Sequence, residues 1–254
     1  MAPSSRPLYL DYETSRDLLL RFGPSLALWR AAEIAMLRRQ EFVAPTLDAG
    51  CGDGIVTSHV LARVDVGLDP GNGTPETGPY ERFVASSIEE APLPDRSFGT
   101  ILSNSVVEHV GDVEAFLAAA ARLLRPGGRL ILTTPSDRFN DWLTLPLAPY
   151  AAWRNRALSH RHLWPAPRWS DSLRRAGLRP ITIEPYLRRP LVTFWDLLEL
   201  TQTVWIEDRR LMSLVWRRLS PSTLHRLARL LARCDLGATG AGGGHLIVAE
   251  KSAG

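Results

Sequence analysis

The sequence predicts an α/β protein built on a doubly wound, mostly parallel, seven-stranded sheet with helical cap insertions. Three observations carry that expectation. Seven short runs of branched and apolar residues recur along the 254 residues, most of them separated by stretches with helical periodicity, the alternation that parallel sheets produce. The first run opens directly into a loop with glycine at every second position, Asp48-Ala49-Gly50-Cys51-Gly52-Asp53-Gly54. Farther on, Pro126-Gly127-Gly128 separates a helical pattern from a strand-forming one.

Residues 1–42 read as an N-terminal helical lead-in or cap, and residues 43–254 as one domain. In the lead-in, Leu18, Leu19, Phe22, Leu26, Leu28 and Trp29 keep helical spacing, interrupted at Gly23-Pro24. Strands are then expected at 46–50, 64–69 and 82–86, with a helix at 53–63 between the first two. A strand at 98–104, a helix at 112–125 and a strand at 129–135 follow. Residues 137–165 hold Trp142, Pro146, Pro149, Tyr150, Trp153 and Trp164 with little periodicity, and read as a loop-rich cap. A helix at 169–176 ends at Gly177 and leads to a strand at 180–186; the last strand is 246–250. Between these two strands lies a long helical insertion, 190–240. Near its end Ser220 reads as a helix cap and Pro221 as the first helical residue. Leu224, Leu227, Ala228 and Leu231 line one face of that helix, with Arg226, Arg229 and Arg233 largely opposite.

The glycine loop carries the functional expectation. Glycines let the backbone turn tightly and approach a ligand closely, and the helix that follows presents unpaired N–H groups. A dinucleotide fingerprint is spaced GxGxxG, whereas this loop is GxGxG with Asp48 two residues ahead of its first glycine. An acid at the strand end suits a ligand with a cationic amino-acid end better than a pyrophosphate.

DAGCGDG is similar to the first motif of the class I S-adenosylmethionine-dependent methyltransferases, and further stretches follow in that family's order. Asp69 closes Val66-Gly67-Leu68-Asp69 where the family places its ribose-binding acid. The stretch from Ser86 to Ser105 resembles the adenine-binding segment, with Ser87 in place of the usual acid and Ile88 as an apolar lid on the adenine face. Gly99 stands where the family has an Asp, a change expected only to loosen a structural hydrogen bond. Val106-Val107-Glu108-His109-Val110 and Leu123-Leu124-Arg125-Pro126-Gly127-Gly128 complete the match, which runs well over 45–135 and loosely over 160–190. The resemblance implies a Rossmann-like fold and S-adenosyl-L-methionine as cofactor. It places Asp48, Ala49, Gly50, Cys51, Gly52, Gly54, Asp69, Pro70, Ser87, Ile88 and Asn104 in the donor site.

Methyl transfer asks the protein to align two reactants and exclude water, and an oxygen acceptor often also needs a base. His109 is the candidate, because it follows the strand that ends at Asn104; the bland alternative is a histidine that bonds only locally. Catechol and quinone-intermediate methyltransferases share a similar Glu-His pair, some with another acid three residues earlier. Here that position is Ser105, which leaves a hard-cation site short of oxygen ligands, so no metal is expected. His160 and His162 read as an exposed pair, and Tyr9 and Tyr12 as residues that either close over the cofactor or simply pack.

Composition fits one sizeable soluble domain. The two cysteines, Cys51 and Cys234, imply no disulfide framework, and neither a leader nor a membrane-length apolar run is visible, so a cytoplasmic location is expected. Over 138–236 arginines outnumber acids about two to one, while acids prevail elsewhere. That basic half matches either a small-molecule acceptor of anionic or lipid-linked character or plain solvation of helix faces. The basic amphipathic stretch at 209–235 reads as self-packing, with peripheral membrane contact as the alternative. The Asn/Asp-Pro-Pro-aromatic signature of base methylation is absent after 98–104, so no nucleic-acid partner is expected. Two other classes stay open: a nicotinamide-dependent oxidoreductase, for which the fingerprint and a catalytic Tyr-Lys pair are lacking, and a non-catalytic relative that only binds.

Overall fold

The computed structural model describes residues 7–71, 78–202, 205–206, 209–210, 216 and 218–252. Helix α1, Tyr12–Leu37, is capped by Asp11, whose carboxylate accepts the Thr14 N–H at 2.8 Å. Gly23 interrupts it with φ 73°, just before Pro24. Then come strand β1 (Thr46–Ala49), helix α2 (Ile55–Ser58), β2 (Val64–Leu68), β3 (Tyr80–Val84), β4 (Phe98–Asn104), α3 (Val113–Leu123) and β5 (Leu124–Pro135). A 3₁₀ turn at Asn140–Trp142 precedes α4 (Ala148–Ala157), α5 (Ala166–Arg175), β6 (Leu178–Tyr186) and α6 (Arg189–Leu200). A small ribbon, β7 (Trp205–Ile206) with β8 (Arg209–Arg210), leads to α7 (Pro221–Ala232) and β9 (Gly244–Lys251).

The seven-stranded sheet runs β3-β2-β1-β4-β5-β9-β6. It is parallel except for β9, which lies antiparallel to both β5 and β6. The order in which the chain adds strands reverses between the parallel neighbours β1 and β4, and at such a switch point the loops leaving the carboxyl ends splay apart into a crevice. Alternation along β9 divides the core: Leu246 and Val248 join the layer of α1, α6 and α7, while Ile247 and Ala249 join that of α3 and α5. Helix α1 is therefore part of one of the two layers that cover the sheet.

Several elements differ from the sequence expectation. The helix expected at 53–63 is only Ile55–Ser58, because Ile55, Val56 and Thr57 are branched and β2 already begins at Val64. The strand expected at 82–86 is 80–84, set by parallel pairing of Val64 with Tyr80 and Leu68 with Val84. The cap at 137–165 holds helix α4, with Pro149 in its first turn, where proline starts a helix instead of breaking one. The insertion at 190–240 contains the β7–β8 ribbon as well as helices. Of 209–235, residues 211–215 and 217 lie outside the described residues. Helix α7 has Ser220 as its cap and buries Ala228 and Leu231, and the Tyr12 hydroxyl meets His225 Nδ1 at 2.6 Å. Its apolar stripe packs on α1.

Candidate functional site

The loop after β1 is pinned to the end of β2: Gly50 and Cys51 donate to the Leu68 carbonyl at 2.7 and 3.0 Å. Gly50 sits at φ 82°, and a Cβ there would lie 2.4 Å from Val106 Cγ2, so only glycine lets this turn close against the chain beyond β4. Asp69 spans the loop, accepting from Gly52 N at 2.9 Å and Gly71 N at 2.8 Å. Above this turn opens a cavity of about 530 Å³.

Asp48, Gly50, Cys51, Gly52, Asp69, Pro70, Asn104 and His109 all line that cavity, so most of the expected site residues converge. Asp48 is buried, its Oδ2 accepting from the Thr57 and Tyr80 hydroxyls. Burial, with some help from the Asp69 charge, pushes its carboxyl up to about 6. Burial likewise pushes the Cys51 thiol up to about 12, which makes it an inert wall residue.

Four expected donor-site residues fall outside the cavity wall. Ala49 is buried in the sheet, because its side chain points to the face opposite that of Asp48. Gly54 is the left-handed cap of α2, with φ 75°. Ser87 is half-buried and Ile88 belongs to the core beside Val84 and Leu93, so the packing of that segment turns the expected adenine lid inward. Asn104 lines the cavity, but its amide is committed: it donates to Glu33 at 3.2 Å and accepts from the Thr133 hydroxyl at 2.8 Å. Gly99 is no loosened substitute, since a Cβ there would meet the Val43 carbonyl oxygen at 2.5 Å.

The other end of the cavity is built by α1. Glu33, fully buried, accepts from Trp29 Nε1 at 3.0 Å, Arg30 at 2.8 Å, Asn104 Nδ2 and the Ser105 hydroxyl. Arg30 shares the cavity wall with Asp48, Asp53 and Asp69 as its one arginine or lysine among the described residues, with one guanidinium nitrogen bonded to Glu33 and with Glu108 near enough to act on its charge. Sequence reasoning missed both residues. The available signal was two charges three residues apart in 22–37, a stretch of the helix otherwise free of charge.

His109 Nδ1 lies 3.0 Å from the Ser159 carbonyl, which can only accept, so Nδ1 is the donor in this contact. Nε2 is 3.9 Å from Oε1 of Glu108, a buried carboxyl pushed up to about 8 by burial, with the Glu33 charge adding to the effect. His160 is half-buried. It packs against Phe139 and His109, with ring centroids 5.1 and 5.5 Å away, and burial followed by the His109 and Arg154 charges lowers it to about 3. Its supposed partner His162 turns away to the Val110 carbonyl at 2.9 Å. The donor atoms of Glu108, His109 and His160 lie within 4.8 Å of one another, so His160 is a potential third ligand that the sequence did not reveal. Tyr9 is exposed and Tyr12 is bound to His225; neither lines the cavity.

A family model described as "Methyltransferase domain" matches residues 16–183. A Mycolicibacterium smegmatis protein named as a probable S-adenosylmethionine-dependent methyltransferase is 33% identical over 111 residues, 41% of this chain and 43% of that one. A ubiquinone biosynthesis O-methyltransferase of Cereibacter sphaeroides is 28% identical over 167 residues, 59% of this chain and 66% of its own. The matches thus span less than two thirds of either relative's length. Among solved structures, a SAM-dependent methyltransferase of Thermotoga maritima superposes with TM-score 0.57 at 16% identity, covering 94% of this chain and all of that one. Geranyl diphosphate C-methyltransferase from Streptomyces coelicolor, solved with Mg²⁺, geranyl diphosphate and S-adenosyl-L-homocysteine, gives TM-score 0.54 at 16% identity over 93% and 81% of the two chains. At such identities the likeness is one of fold.

Proposed function

Because the chain belongs to this methyltransferase-domain family, we propose that it transfers a methyl group from S-adenosylmethionine to an oxygen of a small-molecule acceptor, in bacterial secondary-metabolite, sugar or lipid-linked chemistry. The observation that carries the reading is the single cavity wall that joins Asp48, Asp69 and Arg30. S-adenosylmethionine is a zwitterion at its amino-acid end, with a diol at its ribose. Asp48 suits the ammonium, Arg30 the carboxylate and Asp69 the ribose hydroxyls. Gly52, with nothing within 4 Å of where a Cβ would stand, leaves room for the donor's amino-acid chain.

The donor supplies an electrophilic methyl on a cationic sulfur. What the chain itself does is orient and move a proton. His109, whose Nδ1–H is held by the Ser159 carbonyl, is the base whose Nε2 takes the acceptor's hydroxyl proton. The O-methyltransferase names among the relatives agree with an oxygen acceptor. We place the protein in the cytoplasm, with no resident metal and no nucleic-acid partner. Both cysteines are unpaired, and among the described residues no helix is long and apolar enough to cross a membrane.

Calorimetry with S-adenosylmethionine and, separately, NAD(H) tests the donor, and incubation of labelled donor with host extract tests turnover. Heat with S-adenosylmethionine alone, and label in a small organic molecule, are the expected results. Heat with NAD(H) alone would return the oxidoreductase reading, and tight donor binding without turnover would leave a binding protein.

A further inference from the structure

Helix α4 is packed inside out. Its Arg154 is 1% exposed, while Trp153 beside it is 38% exposed. The buried guanidinium donates to Asp196 Oδ1 of α6 at 2.7 Å, and the same carboxylate takes the Tyr150 hydroxyl at 2.7 Å and the Thr144 N–H at 2.9 Å. A further bond, from the Thr193 hydroxyl to the Trp142 carbonyl at 2.8 Å, closes the seam. All the polar matter of the α4–α6 contact is therefore inside. What faces out is apolar: Leu145 is 49% exposed, Leu147 60%, and Phe194 and Leu197 51% each. Residues 145–149 are an unbroken exposed apolar run, Leu-Pro-Leu-Ala-Pro. A soluble surface seldom concentrates such groups without an apolar occupant.

The rim identifies that occupant. Arg156, one turn beyond Trp153, and Arg189, at the start of α6, are exposed and have no acidic partner among the described residues. Arg188, exposed next to them, is already tied to Asp235, 4.0 Å from its carboxylate, and the Asp141 carboxylate is engaged by Arg138 at 3.5 Å, so among the described residues Arg156 and Arg189 are the two unpaired charges of the rim. Leucines and aromatics at the centre with unpaired arginines around them match acyl chains bounded by anionic headgroups. We infer that the α4–α6 face docks on an anionic lipid membrane. This relocates the membrane contact considered for the basic helix at 209–235, whose described stripe is spent on α1. Past its end, α4 reaches Ser159, whose carbonyl holds the His109 ring, so the docked face adjoins the acceptor end of the cavity. The consequence that the acceptor is dissolved in the bilayer rests on the methyltransferase reading; the docking itself does not.

The test is flotation of the full chain with phosphatidylcholine vesicles, with and without phosphatidylglycerol, in low and high salt. The variants are Leu145→Asp/Leu147→Asp and, as a control on α7, Leu230→Asp, which is 66% exposed elsewhere. Expected are flotation with phosphatidylglycerol vesicles that weakens in high salt, a loss of about tenfold or more in the double variant, and none in the control. No flotation at any salt concentration, or equal flotation of the double variant, would overturn the inference. So would a dimer in sedimentation velocity that the double variant abolishes, since the face would then be a contact between copies. Calorimetry with S-adenosylmethionine on the same samples separates a failed docking surface from a failed donor site.

Discussion

Asp48 carries the pH behaviour of the donor site. Its carboxyl is raised from 3.8 to about 6 by burial, so the folded chain holds a proton that the unfolded chain releases more readily. The stability this contributes is complete below about pH 4 and is lost as pH rises through about 6, a change on the order of 3 kcal/mol. Donor binding runs the other way, because only ionised Asp48 attracts the ammonium. S-adenosylmethionine affinity should fall by about tenfold per unit below pH 6, and Asp48→Asn should flatten both the affinity and the urea-melt profile. Arg30→Ala should weaken S-adenosylmethionine binding by roughly tenfold to a hundredfold, yet leave 5′-methylthioadenosine, which has no carboxylate, nearly unchanged. Equal losses for both ligands would mean that Arg30 merely braces the wall. His109→Asn should lower kcat by roughly 10²–10⁴ with donor affinity kept, measured with whichever acceptor the labelled assay yields. At this scale the glycine loop, Asp48, Asp69 and His109 could be read because their roles follow from local spacing. Arg30, Glu33 and His160 could not, because α1 and the cap bring them to the Ser105–His109 end of the site from 50 or more residues away in sequence.

Elements were legible where their cues are local. Strand β4 falls on 98–104 as its branched residues indicate, and α5 stops just before Gly177. Helix α2 and strand β3 shifted because the parallel ladder, a long-range constraint, sets their ends. The turn before β1 shows the same limit at one residue. The family resemblance makes Gly99→Asp look like a repair, but the Val43 and Ala44 carbonyls stand 2.5 and 2.9 Å from where its Cβ would be. Gly99→Asp should therefore destabilise the chain by about 1–3 kcal/mol in urea denaturation; a gain in stability would refute the packing described.

For the whole molecule, the doubly wound, mostly parallel sheet and the glycine loop after its first strand were foreseeable from alternation and spacing. That α1 completes the core, and with it the cavity, was not, since amphipathic periodicity tells which face of a helix is buried but not against what. The family model ends at residue 183 and so does not reach α6 and α7. The most direct test of the account is a crystal structure with S-adenosylhomocysteine bound. It should show the amino-acid end between Asp48 and Arg30 and the ribose on Asp69. An adenosyl group lodged anywhere other than over the Gly50–Gly52 turn would contradict it.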